Sequence, residues 1–229
     1  MTGRDIEILV ADDAEAAARE TAERLAAAAR EGSQIALTGG STPRRAYELA
    51  AILEPDWSRA GAWWGDERCV PPDDERSNYR LARESLLDRL ARPPAVHRIR
   101  GELEPEEAAA EYERELGDTR LDLVLLGIGP DGHVASLFPD APTLRERERR
   151  VVAAEPGLEP FVDRVTLTLP ALRAAGAVVF LVTEAEKADA ARAAFVDEPS
   201  ERTPSSLVRA ESGATLAILD RAAAARLSA

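Results

Sequence analysis

Two short runs constrain this chain most. Asp122 to Leu126 (DLVLL) and Ala177 to Val182 (AVVFLV) are apolar without alternation. A strand with one wet face alternates, whereas an unbroken apolar run of this length suits a parallel strand buried on both faces. Such a strand has to be covered by helices above and below. The spacing provides them, because strand-like runs take turns with helix-length segments rich in Ala, Glu and Arg. The expectation is an α/β fold, a Rossmann-like parallel-sheet sandwich with helices on both faces.

The rest of the chain keeps this rhythm. Ile6 to Val10 reads as a first strand, and Asp12 or Asp13 caps a helix to about Arg30 that Gly32 ends. Gln34 to Leu37 is strand-like. Pro43 suits the first turn of a helix to Leu53, with Ser41 or Thr42 as its cap. Ala62 to Trp64 reads as a third strand that empties into a polar loop from Gly65. Helices are expected from Ser77–Asn78 to Leu90 and from Pro105 to Leu116, with a short strand at Val96 to Ile99 between them. Leu144 to Arg150 is strongly charged and expected in solvent. Val151 to Ala153 and the alternating Arg164 to Leu169 read as strands, and Pro170 to Ala175 as a helical turn. A helix is expected from Glu184 to Val196, a loop with a helix after it near Pro204, a strand at Ala214 to Leu219 and a closing helix at Asp220 to Leu227.

Bulk properties narrow the class. No composition break divides the 229 residues, so 1–229 reads as one domain. The formal charge of −13, from 42 acidic and 29 basic residues, repels nucleic acid and anionic membrane. An anionic small substrate would need a locally basic pocket. The lone cysteine, Cys69, excludes an intramolecular disulfide and a four-cysteine metal site. There is no basic, apolar leader and no run of 18 apolar residues, so a soluble cytoplasmic protein is expected.

Polar turns follow Leu37, Trp64 and Leu126, which places three loops at the carboxyl ends of strands, where ligands bind in such sheets. In the first, Thr38-Gly39-Gly40-Ser41-Thr42-Pro43, successive amides, two hydroxyls and a helix start make an anion cradle or an ordinary capping turn. It is neither a Walker loop nor a dinucleotide fingerprint. In the second, Arg68 suits a forked grip on phosphate or a surface ion pair, and Asp66 or Glu67 could orient it or hold sugar hydroxyls. Cys69 reads as a packed residue.

The third turn, Leu121 to Pro139, carries Gly127, Gly129 and Gly132 around Asp131 and His133. Histidine suits proton transfer near neutral pH, and Asp131 is close enough to hold its tautomer; a purely structural contact is the alternative. The other histidine, His97, lies in an arginine-flanked segment and reads as unconnected. Direct activation of water is therefore favoured over metal hydrolysis. Arg164 opens an alternating strand. Lys187 sits in the first turn of a helix, where its charge opposes the helix dipole unless it lies at the surface or faces an anion.

Taken together, ALTGGSTP at 36–43, WWGDERCVPPDDERSNY at 63–79, LLGIGPDGHVASLFP at 125–139, RVTLTLP at 164–170 and VVFLVTEAEKADA at 178–190 resemble the 6-phosphogluconolactonases. These share a NagB/lactonase-like fold group with the glucosamine-6-phosphate deaminases. After the shared G-x-G-x-DGH, lactonases typically continue A-S-L-F-P, as Ala135 to Pro139 do here. Deaminases typically continue A-F-N-E-P, with an extra acid for ring opening that is absent in this chain.

The resemblance implies hydrolysis of 6-phospho-D-glucono-1,5-lactone to 6-phospho-D-gluconate in the pentose phosphate pathway, with no cofactor and no metal. His133 would activate water and Asp131 would orient it. Gly39, Gly40, Ser41 and Thr42 would wall the sugar phosphate, and Arg68 and Lys187 would be its main charged ligands. Asp66, Asn78 and Arg164 would line or brace the pocket. Backbone amides of the glycine turn are the candidate oxyanion donors. Three positions depart from the pattern: Val134 stands where Thr is usual, Glu184 where Gly is usual, and TLAILD occupies a stretch that often carries Trp. Glu184 is expected to point away from the phosphate. A deaminase-like sugar-phosphate isomerase is the nearest alternative. A noncatalytic sugar-phosphate-binding protein is the alternative from another class, though no output domain is expected here. A monomer is self-sufficient in such a fold, and a homodimer through helix faces stays open.

Overall fold

The computed structural model describes residues 6–227. The strands are β1 (Glu7–Ala11), β2 (Gln34–Leu37), β3 (Gly61–Trp64), β4 (Asp66–Arg68), β5 (Ala95–Val96), β6 (Leu123–Leu126), β7 (Val151–Ala154), β8 (Arg164–Leu167), β9 (Ala177–Val182) and β10 (Ala214–Asp220). The helices are α1 (Ala14–Glu31), α2 (Pro43–Leu53), α3 (Asn78–Ser85), α4 (Pro105–Leu116), α5 (Leu169–Arg173) and α6 (Ala188–Phe195). The main sheet runs β1-β10-β9-β6-β2-β3-β5, and all its pairings are parallel. The unbroken apolar runs lie at its centre. Every residue of β6 is buried, as are all but the first of β9.

Sheet order sets the position of a crevice. From β2 the chain moves to its neighbour β3, whereas from β6 it moves the other way, to β9. Adjacent β2 and β6 therefore send their following loops apart, and the gap between those loops is where an open α/β sheet takes ligand. Two buried tyrosines pin the strand ends beside it. Tyr47 of α2 accepts from Thr38 N at 2.8 Å and donates to Thr38 O at 2.7 Å. Tyr112 of α4 does the same for Trp64, at 2.8 and 3.0 Å. A parallel strand leaves its last backbone groups unpaired, and these hydroxyls satisfy both at once.

The helix signals hold where local chemistry decides. Asp13 caps α1 by accepting from Ala16 N, and Gly32 ends it at φ 80°. At α2, Pro43 takes the first turn, but Thr42 stands at the cap position without a side-chain capping bond.

Several expectations are corrected. Asp66 to Arg68 is a strand rather than a loop, and it belongs to a second sheet, β4-β8-β7, which is antiparallel throughout. Arg164 to Leu167 is buried along its whole length, because Val165 and Leu167 face the core while Thr166 Oγ1 accepts from Ser136 N. The charged segment before β7 is not simply solvated. Leu144 is buried, and Glu113 of α4 accepts from the amides of Arg150 and Val151. Helix α3 stops at Ser85 and a 3-10 turn, Leu87–Arg89, continues it; β5 ends at Val96. A 3-10 turn, Ala185–Lys187, separates Glu184 from α6. The closing segment forms turns over 221–227 instead of a helix, with Asp220 dividing its carboxylate between the amides of Ala223 and Glu184.

Candidate active site

A cleft of about 200 Å³ opens at the carboxyl ends of β2, β6 and β9. Ten of the eleven residues singled out in the sequence line it: Gly39, Gly40, Ser41, Thr42, Asp66, Arg68, Asn78, His133, Arg164 and Lys187. The eleventh, Asp131, stands behind His133 and reaches the cleft through it.

The histidine side is built from one tight turn. Asp131 Oδ1 lies 2.6 Å from His133 Nδ1 and also accepts from His133 N at 3.1 Å. Gly129 N donates to His133 O, and Gly132 N to Gly129 O. Gly129 must be glycine: a Cβ there would lie 1.9 Å from His133 Nδ1. Gly132, at φ 84°, is the left-handed corner. Burial pushes the Asp131 carboxyl up, but the hydrogen bonds and charge of His133 outweigh it and hold it below the usual range. An ionised carboxylate only accepts, so Nδ1 carries a proton, and in the neutral form of the ring the lone pair is on Nε2. Among the described residues Nε2 has no hydrogen-bond partner. The amides of Gly129, Gly132 and His133 are all occupied within the turn, so they do not serve as oxyanion donors.

The tail of that turn ties it to the second sheet. Ser136, fully buried, donates from Oγ to Asp66 Oδ2 at 2.6 Å. Leu137 and Phe138, where a deaminase would carry its acid, are buried apolar side chains. The Phe138 ring lies 4.9 Å from the His133 ring, and the Arg164 guanidinium is 5.8 Å from its centroid.

The basic side draws on four separate segments. The pairing of β4 with β8 sets Arg68 opposite Arg164. Arg164 is nearly buried. It braces the neighbouring loop by donating to Leu158 O, Pro160 O and Val162 O. Burial, and then the nearby Arg68 charge, pull its pKa below the ordinary guanidinium value. Arg68 Nη1 donates to Arg76 O, and its Nε is buried without a partner among the described residues. Neither Asp66 nor Glu67 bonds to that guanidinium, which removes one of the two roles the sequence offered them. Asp66 instead receives Ser136 Oγ and Asn78 Nδ2. Ser41 and Thr42 carry no side-chain bonds among the described residues, so their hydroxyls are available to a ligand.

Lys187 is mostly buried, with Nζ 3.7 Å from Glu186 Oε1. Glu184 is exposed and, like Glu186, is among the residues lining the cleft. Its backbone, at φ 81° and ψ 142°, is in a region that favours glycine. Its sequence signal was the missing Gly itself. Sequence reasoning offered Glu67 only as a partner for the Arg68 side chain or for sugar hydroxyls and gave no role to Ser136 or Tyr47, whose tasks depend on partners distant in the chain. His97 is stacked on Trp63 at 4.0 Å and bonded to Glu115, away from the cleft. Burial pushes the Cys69 thiol up to about 11, as suits a packed residue. Among the described residues no group of three or more His, Cys, Asp or Glu side chains is arranged to hold a metal, and no helix is long and apolar enough to cross a membrane.

The geometry agrees with the comparisons. The chain is 41% identical over 215 residues to 6-phosphogluconolactonase of Homo sapiens, covering 88% of this chain and 83% of that protein. It is 37% identical over 249 residues to the 6-phosphogluconolactonase of Streptomyces coelicolor, covering 98% and 92%. The solved structure of 6-phosphogluconolactonase from Trypanosoma cruzi superposes with a TM-score of 0.88 at 28% identity, covering 100% of this chain and 99% of that one. A monomeric glucosamine-6-phosphate deaminase has the same fold, with a TM-score of 0.83 at 19% identity. The family model described as glucosamine-6-phosphate isomerases/6-phosphogluconolactonase matches residues 10–217, and the chain belongs to that family.

Proposed function

We propose that this protein hydrolyses 6-phospho-D-glucono-1,5-lactone to 6-phospho-D-gluconate, as a step of the pentose phosphate pathway. One observation carries the reading: a histidine with its Nδ1 held by a carboxylate faces the same cleft as a glycine-rich loop and three cationic side chains. The relatives named as lactonases point to the same reaction.

The substrate phosphate sits against Ser41, Thr42 and the Gly39–Gly40 amides, with Arg68 and Lys187 as its charged ligands and Arg164 close by. The lactone carbonyl then lies toward His133. Nε2 takes a proton from water as the oxygen attacks C1. The tetrahedral oxyanion collapses, the bond from C1 to the ring oxygen breaks, and His133 returns the proton to the departing oxygen. The products are one carboxyl group and one hydroxyl. Asp131 holds the tautomer and stabilises the imidazolium between the two transfers. The chemistry calls on no metal. A cytoplasmic enzyme acting as a monomer of one domain accompanies this reading.

The test supplies freshly made lactone and follows acid release above spontaneous hydrolysis, with and without chelator. Acceleration that chelator leaves unchanged is expected. No acceleration contradicts the activity, and loss with chelator contradicts the metal-free mechanism. Glucosamine 6-phosphate should release no ammonia, since Leu137 and Phe138 stand where a deaminase carries its acid.

A further inference from the structure

Glu67 is a buried acidic side chain next to the cleft that the mechanism does not use. It is 2% exposed and does not line the cleft, so it touches no substrate. Yet four donors converge on its carboxylate. Oε1 accepts from Arg68 N at 2.8 Å and from Asn78 N at 2.7 Å. Oε2 accepts from Tyr79 N at 2.7 Å and from Ser77 Oγ at 3.0 Å. Helix α3 has no acid in its own first turn. Glu67, ten residues or more upstream, brings its carboxyl group to that helix start and satisfies two amides that would otherwise have no partner.

The consequence reaches the cleft by two routes. One carboxylate oxygen holds both the Arg68 amide and the Asn78 amide, which fixes β4 against the start of α3. Arg68 is then kept in place by Arg76 O, just before that helix. Asn78, 2% exposed, is oriented by donating from Nδ2 to Asp66 O at 2.9 Å and to Asp66 Oδ1 at 3.1 Å. With its amide turned that way, Asn78 Oδ1 packs on Gly39, where a Cβ would lie 1.8 Å from it. The glycine loop is thus seated on a side chain that Glu67 positions.

We propose that Glu67 is a positioning residue for the phosphate side of the cleft, setting Arg68 directly and the Gly39 loop through Asn78. This rests on the sugar-phosphate reading above. His133 and Asp131 are held within their own turn, so Glu67 governs substrate binding and leaves the chemical step alone.

The test compares wild type, Glu67→Ala, Glu67→Gln and Arg68→Ala by lactone kinetics and by calorimetric binding of 6-phosphogluconate and of gluconate. Loss of charged hydrogen bonds in E67A should raise KM and the Kd for 6-phosphogluconate about tenfold or more, with kcat within about threefold. E67Q keeps one acceptor oxygen for Arg68 and Asn78 but turns an NH₂ toward Tyr79 N, so its effect should fall between wild type and E67A. That grading, seen in KM and absent from kcat, is what a merely structural role would not produce. Should E67A not fold, E67Q carries the same comparison: raised KM at unchanged kcat supports the proposal. Folded Glu67 variants with wild-type KM, while R68A weakens phosphorylated ligand, overturn the proposal alone. A fall in kcat matching or exceeding the rise in KM overturns it too. Wild type that binds gluconate as well as 6-phosphogluconate overturns the sugar-phosphate reading, and this proposal with it.

Discussion

The two sides of the cleft are made differently. The histidine side is a single turn: Gly129, Asp131, Gly132 and His133 lie within five residues and bond to one another. The phosphate side is assembled from the Gly39 loop, β4, β8 and the turn before α6, which meet only after two sheets have formed. A local site depends on backbone conformation at a few positions. A dispersed site depends on buried braces, here Glu67, Asp66, Asn78 and Ser136. Damage to the first should appear in kcat, and damage to the second in KM.

Short of removing the histidine itself, Gly129→Ala gives the largest contrast. Its new Cβ would meet the imidazole, and displacement of a catalytic group by about 1 Å costs on the order of 10²-fold in rate. Steady-state kinetics should show kcat falling by that order with little change in product binding. An unchanged kcat would remove the local half of the comparison. Arg68→Ala comes next, on the other side. Loss of a charge-assisted contact to phosphate should weaken 6-phosphogluconate binding about tenfold to a hundredfold and leave kcat nearly constant.

The buried braces add a pH signature. Burial pushes Glu67 up to about 7 from an ordinary 4.5, against the pull of the amides of Asn78, Tyr79 and Arg68. The folded protein therefore holds this proton more tightly than the unfolded chain does. Its contribution to stability is greatest below about 4.5, declines as pH rises toward 7 and is constant above. Glu67→Gln cannot titrate, so its Tm should improve relative to wild type between pH 5 and 7. A constant difference across that window would mean that burial does not control the group.

Glu184→Gly should give the smallest effect. It relieves a non-glycine φ of 81°, worth about 1 kcal/mol, and should raise Tm by about 2–4 °C. It also removes a negative charge from the cleft wall. A lower Tm would show that Glu184 is held there by contacts stronger than its strain.

The same comparison explains what could be read from the sequence. The central strands were legible because a strand buried on both faces announces itself in composition, as LVLL and AVVFLV do. The histidine turn was legible because its glycines and its acid–base pair are neighbours in the chain. Arg68 could be placed at the cleft, but its strand could not. Asp-Glu-Arg is poor strand sequence, and only pairing with the distant Arg164 to Thr166 makes β4. Glu67 reads from the sequence as a partner for Arg68 or for sugar hydroxyls; its place at the start of α3 is not legible there, because three of its four donors come from 77–79. Thr42 looked like a helix cap by type, yet makes no capping bond at the cleft.

His133 as the general base is the central claim, and His133→Ala tests it most directly. The variant should lose about 10²- to 10⁴-fold of the lactone hydrolysis rate and bind 6-phosphogluconate like the wild type. Wild-type hydrolysis by folded H133A would contradict the account.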